Sequence, residues 1–295
     1  MASTPRTVSG DDCTARAPAR FPWVPFVWFG LLLLICYAPV LVRLARQWMD
    51  DADMGHGFFV PLIAGYIAWR KREELLSVPP QSNAWGLLVV AFGALQLLVA
   101  TLGAELFLAR TAFIVSLVGV VLYLGGWRSL KILAFPLFLL CFMVPIPAII
   151  YNQVTFPLQL LASHVAEISL SLLGFPVLRE GNVIELPSQT LNVVEACSGI
   201  RSLLSLSFLS LVYAYFIDGK VWMRWVLLAA TIPIAIAANS SRVTLTGILT
   251  EYHPEFAEGF FHYAQGWVIF MVALVMLIVT HRIVNRIYRG LHGGA

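Results

Sequence analysis

The chain has 295 residues and a formal net charge of +3; 59% of its residues are hydrophobic, 12% are charged, and the mean hydropathy is +0.82. That much apolar surface cannot be hidden in one soluble core, so the composition describes a polytopic membrane protein. The basic residues stand in short groups between apolar runs, as topology determinants do, and form no stripe suited to nucleic acid.

Residues 1–20 are polar and rich in Ala, Thr, Pro and Arg, and are expected to form a disordered cytoplasmic tail ahead of a single domain over 21–290. The first apolar run, 23–42, is too long for a signal-peptide core and reads as a retained first span. Seven further spans are expected at 53–70, 84–103, 106–124, 130–147, 199–217, 225–249 and 264–283, most near the ~20 residues that cross a bilayer. The second is the weakest, because its clean apolar part, Phe58 to Trp69, is short and Asp53 and His56 stand at its start. The predicted fold is therefore an all-α membrane bundle of about eight transmembrane helices.

Orientation follows from the Lys/Arg bias of the loops. With eight spans, Arg70-Lys71-Arg72, Arg128 with Lys131, Lys220 with Arg224, and Arg282, Arg286 and Arg289 share one side with the tail. That side is the cytoplasm, and Arg43 and Arg46 are the exceptions. The outer side then receives Asp50, Asp51 and Asp53, Glu105, the long 148–198 segment, and Glu251, Glu255, Glu258 and His262. Within the long segment, Gln159, Ser163, Glu167 and Ser171 recur every four residues, which predicts an amphipathic helix over about 155–173. It can lie in the outer leaflet, or enter the membrane with its polar face toward a cavity. Gly174-Phe175-Pro176 ends it, and Val183 to Pro187 reads as a short extended segment and turn.

The four cysteines, at 13, 36, 141 and 197, form no C-x-x-C pair and have no ligand-like spacing with histidine. Neither a disulfide framework nor a metal site is indicated, and no cofactor is expected. On the predicted topology Cys197 is the thiol at the outer surface, in Glu195-Ala196-Cys197-Ser198-Gly199-Ile200-Arg201, just before an apolar run. A thiol at a helix start meets unpaired backbone N–H groups and the positive end of the helix dipole, which favour the thiolate. The alternative is a small packing residue that reacts with nothing.

Arg242 lies inside the seventh expected span, where an arginine left unpaired in lipid costs several kcal/mol. It faces a substrate, water or an acid such as Glu195 or Glu167. Asn239, three residues earlier on the same helix face, can orient it. His262, at the outer start of the last span, suits either an amphipathic place at the membrane edge or a proton-transfer role near neutral pH. Together, a thiol, a histidine and an arginine at similar depth suit nucleophilic attack on a carbonyl, with Arg242 on the oxyanion. His56, between Gly55 and Gly57, is a structural or substrate-contact residue. Arg201 can meet an acidic substrate group or cap a neighbour, and Glu195 can orient His262 or pair Arg242.

The run Asn192 to Ser202 around Cys197, the run Ala238-Asn239-Ser240-Ser241-Arg242, and His262 followed by Gly266 together resemble the exosortase/archaeosortase family of membrane transpeptidases. Asp53-x-x-His56-Gly57-Phe58-Phe59-Val60-Pro61, then Tyr66 and Trp69-Arg70, is similar to that family's second-span pattern, with Gly55 where a serine is expected. The resemblance covers nearly all of the chain after the tail, and no appended soluble domain is expected after His281. It implies Cys197 as nucleophile, Arg242 as the family's arginine, and His262 as third member, where archaeal relatives are expected to use arginine. It also implies a place in the bacterial inner membrane with both termini cytoplasmic and the site facing the periplasm. The implied partners are secreted proteins carrying a C-terminal Pro-Glu-Pro (PEP-CTERM) signal, a transmembrane helix and a basic tail. Cleavage would pass through a thioester, with transfer to a surface nucleophile often linked to exopolysaccharide. Independently of the resemblance, Arg201 or Arg179 would suit the signal's glutamate. Two other readings are a small-solute transporter, in which Arg242 binds an anion, and a non-catalytic component of a polysaccharide assembly machine. The chain lacks the two related halves that transporters often show.

Overall fold

The protein is described here by a computed structural model over residues 23–187, 190–192, 199–252 and 259–292. The expected tail lies outside these residues. Helix makes up 84% of the structure, which places it in the all-α membrane class. The described chain divides into two compact units.

In the first unit, α1 (Trp23–Cys36) and the first residues of α2 (Ala38–Asp50) are separated at Tyr37. Pro39 accounts for the break, because it lacks the N–H that would continue the ladder and its ring crowds the preceding turn. The Tyr37 hydroxyl lies 2.8 Å from Ser116 Oγ and within hydrogen-bond reach of the carbonyls of Gly93 and Ala112. It thereby joins α5 (Trp85–Leu102) to α6 (Leu106–Leu139). Between α2 and α5 in sequence lie α3 (Phe59–Arg70) and the short α4 (Arg72–Ser77). Helix α6 is one element of 34 residues, broken at Gly126, whose φ of 72° and ψ of −172° are not helical. An unbroken helix of that length would run ~50 Å, well beyond ~30 Å of hydrocarbon. The expected spans 106–124 and 130–147 fall on either side of this break; the α-helix ends at Leu139 and a 3-10 turn continues the span to Met143.

Among the described residues four helices are long and apolar enough to cross a membrane, or five if the bent pair α1 and α2 counts as one span. The expected span 53–70 falls short of that measure, because residues 52–58 form a 3-10 turn before a 12-residue α3, while α8 (Gly199–Ile217) is a helix of 19 residues.

The second unit is built on α9 (Val221–Tyr252), which packs against α7 (Ala148–Leu172), α8 and α10 (Gly259–His292). Its apolar centre includes Leu206, Met223, Leu227 and Leu277, all fully buried. Polar ties join the helices where lipid would leave such groups unpaired: Ser207 and Thr231 hydroxyls lie 3.1 Å apart, and Gln265 Nε2 is 3.1 Å from Thr246 Oγ1.

The helix expected at 155–173 starts earlier, at Ala148, directly after Pro147. Of its expected polar face Gln159 and Ser163 are buried, as is Thr155 one turn earlier, whereas Glu167 is half-buried and Ser171 exposed, so the N-terminal half of that face meets protein. Ser163 Oγ donates to Gly181 O at 2.9 Å, in the turn between β1 (Leu178–Glu180) and β2 (Val183–Glu185). With β3 (Thr190–Asn192) these form a small antiparallel sheet in the order β1-β2-β3. Its register pairs Ile184 with Arg179 and with Leu191. Ile184 and Leu191 turn into a core with Ala166 and Leu170 of α7 and Val243 of α9. The extended segment expected at 183–187 is thus the central strand of a sheet that caps the bundle.

Candidate active site

Arg242 lies on α9 inside a candidate membrane span, and Asn239, one turn earlier, is buried beside it. Both line a narrow cavity of about 10 Å³, room for about one water, at the junction of three helices. Helix α8 contributes Ser202 and Leu206, α9 contributes Ala235, Asn239 and Arg242, and α10 contributes Gly266. Asn239 also borders an apolar crevice with Leu158 of α7 and Leu203 of α8, so it separates the two spaces.

Gly266 presents bare backbone to the guanidinium: a Cβ there would stand 3.6 Å from Arg242 Nη2. Its neighbour Gln265 fixes how α10 sits on α9. The Gln265 amide donates to the Arg242 carbonyl at 3.1 Å and lies at hydrogen-bond distance from Thr246 Oγ1. Gln265 is not among the expected site residues, although a primary amide inside an apolar run is a visible signal.

Cys197 and Glu195 lie outside the described residues, as do the side chains of Asp53, Arg201 and His262. What flanks them is described. Ser202, five residues after Cys197, lines the Arg242 cavity. Leu191, six residues before it, packs in the same core as Val243, the residue after Arg242. His262 belongs to the first turns of α10, four residues before Gly266.

His56 sits in the 3-10 turn Ala52–Phe58, with Nδ1 3.4 Å from Ser205 Oγ of α8 and its ring 6.4 Å from that of Phe208. Ser205 follows Ser202 by three residues, so the first turns of α8 are shared between His56 and the Arg242 cavity. Trp48 holds the turn: its Nε1 donates to Met143 O at 3.0 Å, and its ring covers Gly57.

Arg179 is engaged elsewhere and does not line the cavity. Its Nε donates to Glu167 Oε2 at 2.7 Å and its Nη1 to Gly181 O at 2.9 Å. The same carboxylate oxygen lies 3.3 Å from His164 Nδ1. The hydrogen bond from Arg179 is the main reason the Glu167 carboxyl is held below its usual range. Of the two acids considered as partners for Arg242, Glu167 therefore serves the clasp between α7 and the hairpin. Among the described residues no group of three or more His, Cys, Asp or Glu is arranged to hold a metal.

The site so far consists of a guanidinium and a carboxamide at a small cavity, walled by α8 and α10. Such donors suit an oxyanion or a carboxylate. Comparison with protein families matches residues 48–279 to the model described as transmembrane exosortase. Comparison with curated proteins and with solved structures gave no match.

Proposed function

The chain belongs to the transmembrane exosortase family, and from that membership and the Arg242 site we propose that it is a membrane cysteine transpeptidase acting on C-terminal sorting signals of secreted proteins. The observation that carries this reading is the make-up of the Arg242 cavity. Facing Arg242 across it are α8, which follows Cys197, and α10, which contains His262.

In the proposed reaction His262 takes the proton of the Cys197 thiol, and Sγ attacks the carbonyl carbon of the scissile peptide bond. The electron pair of the carbonyl passes to its oxygen, where Arg242 stabilises the oxyanion. Collapse returns that pair, breaks the C–N bond and leaves a thioester on Cys197. The leaving amine takes the proton from His262. Water or an amine at the outer surface then attacks the thioester and frees the thiol. Asn239, beside Arg242, is the residue that orients the guanidinium. The substrates are secreted proteins with a Pro-Glu-Pro signal, a membrane helix and a basic tail, at the outer face of a bacterial inner membrane, and the transferred product is linked to exopolysaccharide.

The test is co-expression with a tripartite substrate. Cys197→Ala is expected to accumulate in the membrane and to lower processing about a thousandfold or more, as loss of a nucleophile does elsewhere. Processing at the normal rate would overturn the proposal. Isolation of a substrate adduct on the Cys197 sulfur would identify nucleophile and cleavage position together.

A further inference from the structure

Arg110 is a charged residue in the first unit that the proposed reaction does not use. It stands four residues into α6, ~6 Å from the start of that helix by axial rise, inside the candidate span Leu106–Met143. Its side chain is 95% buried by the complement of a 5% exposure. Its Nε is sealed from solvent and has no hydrogen-bond partner among the described residues. The nearest acid in the chain, Glu105, reaches Arg110 through its charge alone: its carboxylate accepts from the backbone N–H groups of Phe107 and Leu108. Guanidinium donors left without a hydrogen-bonding partner at this depth cost several kcal/mol.

From this we infer that Arg110 is the anchor of a phospholipid-binding site, with the guanidinium bracketing the phosphodiester oxygens of a headgroup. The chemistry is that of an oxyanion meeting a planar, two-pronged donor. A depth of ~6 Å from the end of a span is close to the headgroup boundary of a bilayer with ~30 Å of hydrocarbon. The surroundings favour a lipid over a free anion. Leu102 at the end of α5 and Leu106 and Leu108 in the first turn of α6 are exposed apolar residues, suited to the acyl chains beside the headgroup.

The test uses the full chain in detergent, titrated with dioctanoyl-phosphatidylglycerol, with bound lipid counted by native mass spectrometry. The wild type is expected to retain one such lipid, and Arg110→Leu to bind it at least about tenfold more weakly, the loss of ~1.4 kcal/mol of charge-assisted contact. Equal affinity in the two proteins would overturn the site. Equal retention of dioctanoylglycerol, which lacks the phosphate, would also overturn it. Displacement of the lipid by inorganic phosphate at equal concentration would make the ligand a free anion and overturn the lipid. Should Arg110→Leu not fold, Arg110→Lys keeps the charge but not the two-pronged geometry. It is expected to bind about threefold more weakly or worse, and wild-type affinity in that variant would count against the proposal.

Discussion

Gly266 shows how much of the site depends on one missing side chain. A Cβ at 3.6 Å from Arg242 Nη2 is an ordinary contact, so Gly266→Ala is expected to fold, to keep processing activity, and to gain up to about 1 kcal/mol from helix propensity. Gly266→Leu would push its branch into the space of the guanidinium. It is expected to lower processing at least about tenfold with little loss of melting temperature, as read by substrate processing beside a thermal melt. Processing by the leucine variant equal to wild type would show that the Arg242 position is not needed. Arg242 and Asn239 are legible in the sequence because polar groups in an apolar run demand a partner. Gln265 obeys the same logic, but its role depends on where Arg242 O and Thr246 Oγ1 lie in space, and no spacing in the chain reveals that.

The elements around the site are positioned by close contacts that tolerate little change. A Cβ on Gly57 would fall 2.5 Å from the Trp48 ring, which its bond to Met143 O and its edge contact with Phe58 hold in place. Gly57→Ala is therefore expected to destabilise the protein by about 1–3 kcal/mol and to shift His56 from Ser205, with partial recovery in the double variant with Trp48→Phe. A melting temperature unchanged by Gly57→Ala would contradict this packing. Helix α7 shows the limit of periodicity at this scale. The four-residue recurrence locates a polar face, and only the packing of α7 on α9 and the hairpin turns Gln159 and Ser163 inward while Ser171 stays exposed. The break in α6 is the opposite case: Gly125-Gly126 and Arg128 interrupt the apolar run, and the expected spans 106–124 and 130–147 already fall on either side of the positive φ of Gly126.

Across the second unit, the end of the bundle opposite Arg242 along α9 is tied by a buried polar cluster. His281 Nε2 lies 3.1 Å from Asp218 Oδ2, and its Nδ1 lies 3.0 Å from the Tyr213 hydroxyl. The Lys220 backbone N–H donates to Asp218 Oδ1 at 2.9 Å, and Lys220 Nζ donates to Asn285 Oδ1 at 2.8 Å. The cluster joins α8, the connection to α9, and α10, the same helices that wall the Arg242 cavity. Burial pushes the Asp218 carboxyl up, but the bonds from the Lys220 N–H and His281, with the charges of Lys220 and His281, outweigh it and leave the group below its usual range. A carboxyl lowered on folding stabilises the protein fully above its unfolded value, ~3.9, and less as pH falls through the lower folded one. The melting temperature is therefore expected to fall on acidification below about pH 4, with a shallower fall in Asp218→Asn. At neutral pH Asp218→Ala should cost about 3 kcal/mol, because it strands buried partners. An acid profile identical in wild type and Asp218→Asn would remove Asp218 from that role. What the sequence by itself determined was the membrane class, the helical character of nearly every element, and the family, because hydropathy, length and the motifs around Cys197, Arg242 and His262 are local properties of the chain. Tertiary structure alone decided which faces meet, including the Arg179–Glu167 clasp, the inward polar face of α7, the pin at Gln265 and the Asp218–His281 tie. The physical reason is the solvent: lipid-facing and core-facing positions are both apolar, so a membrane helix does not announce in its sequence which side packs.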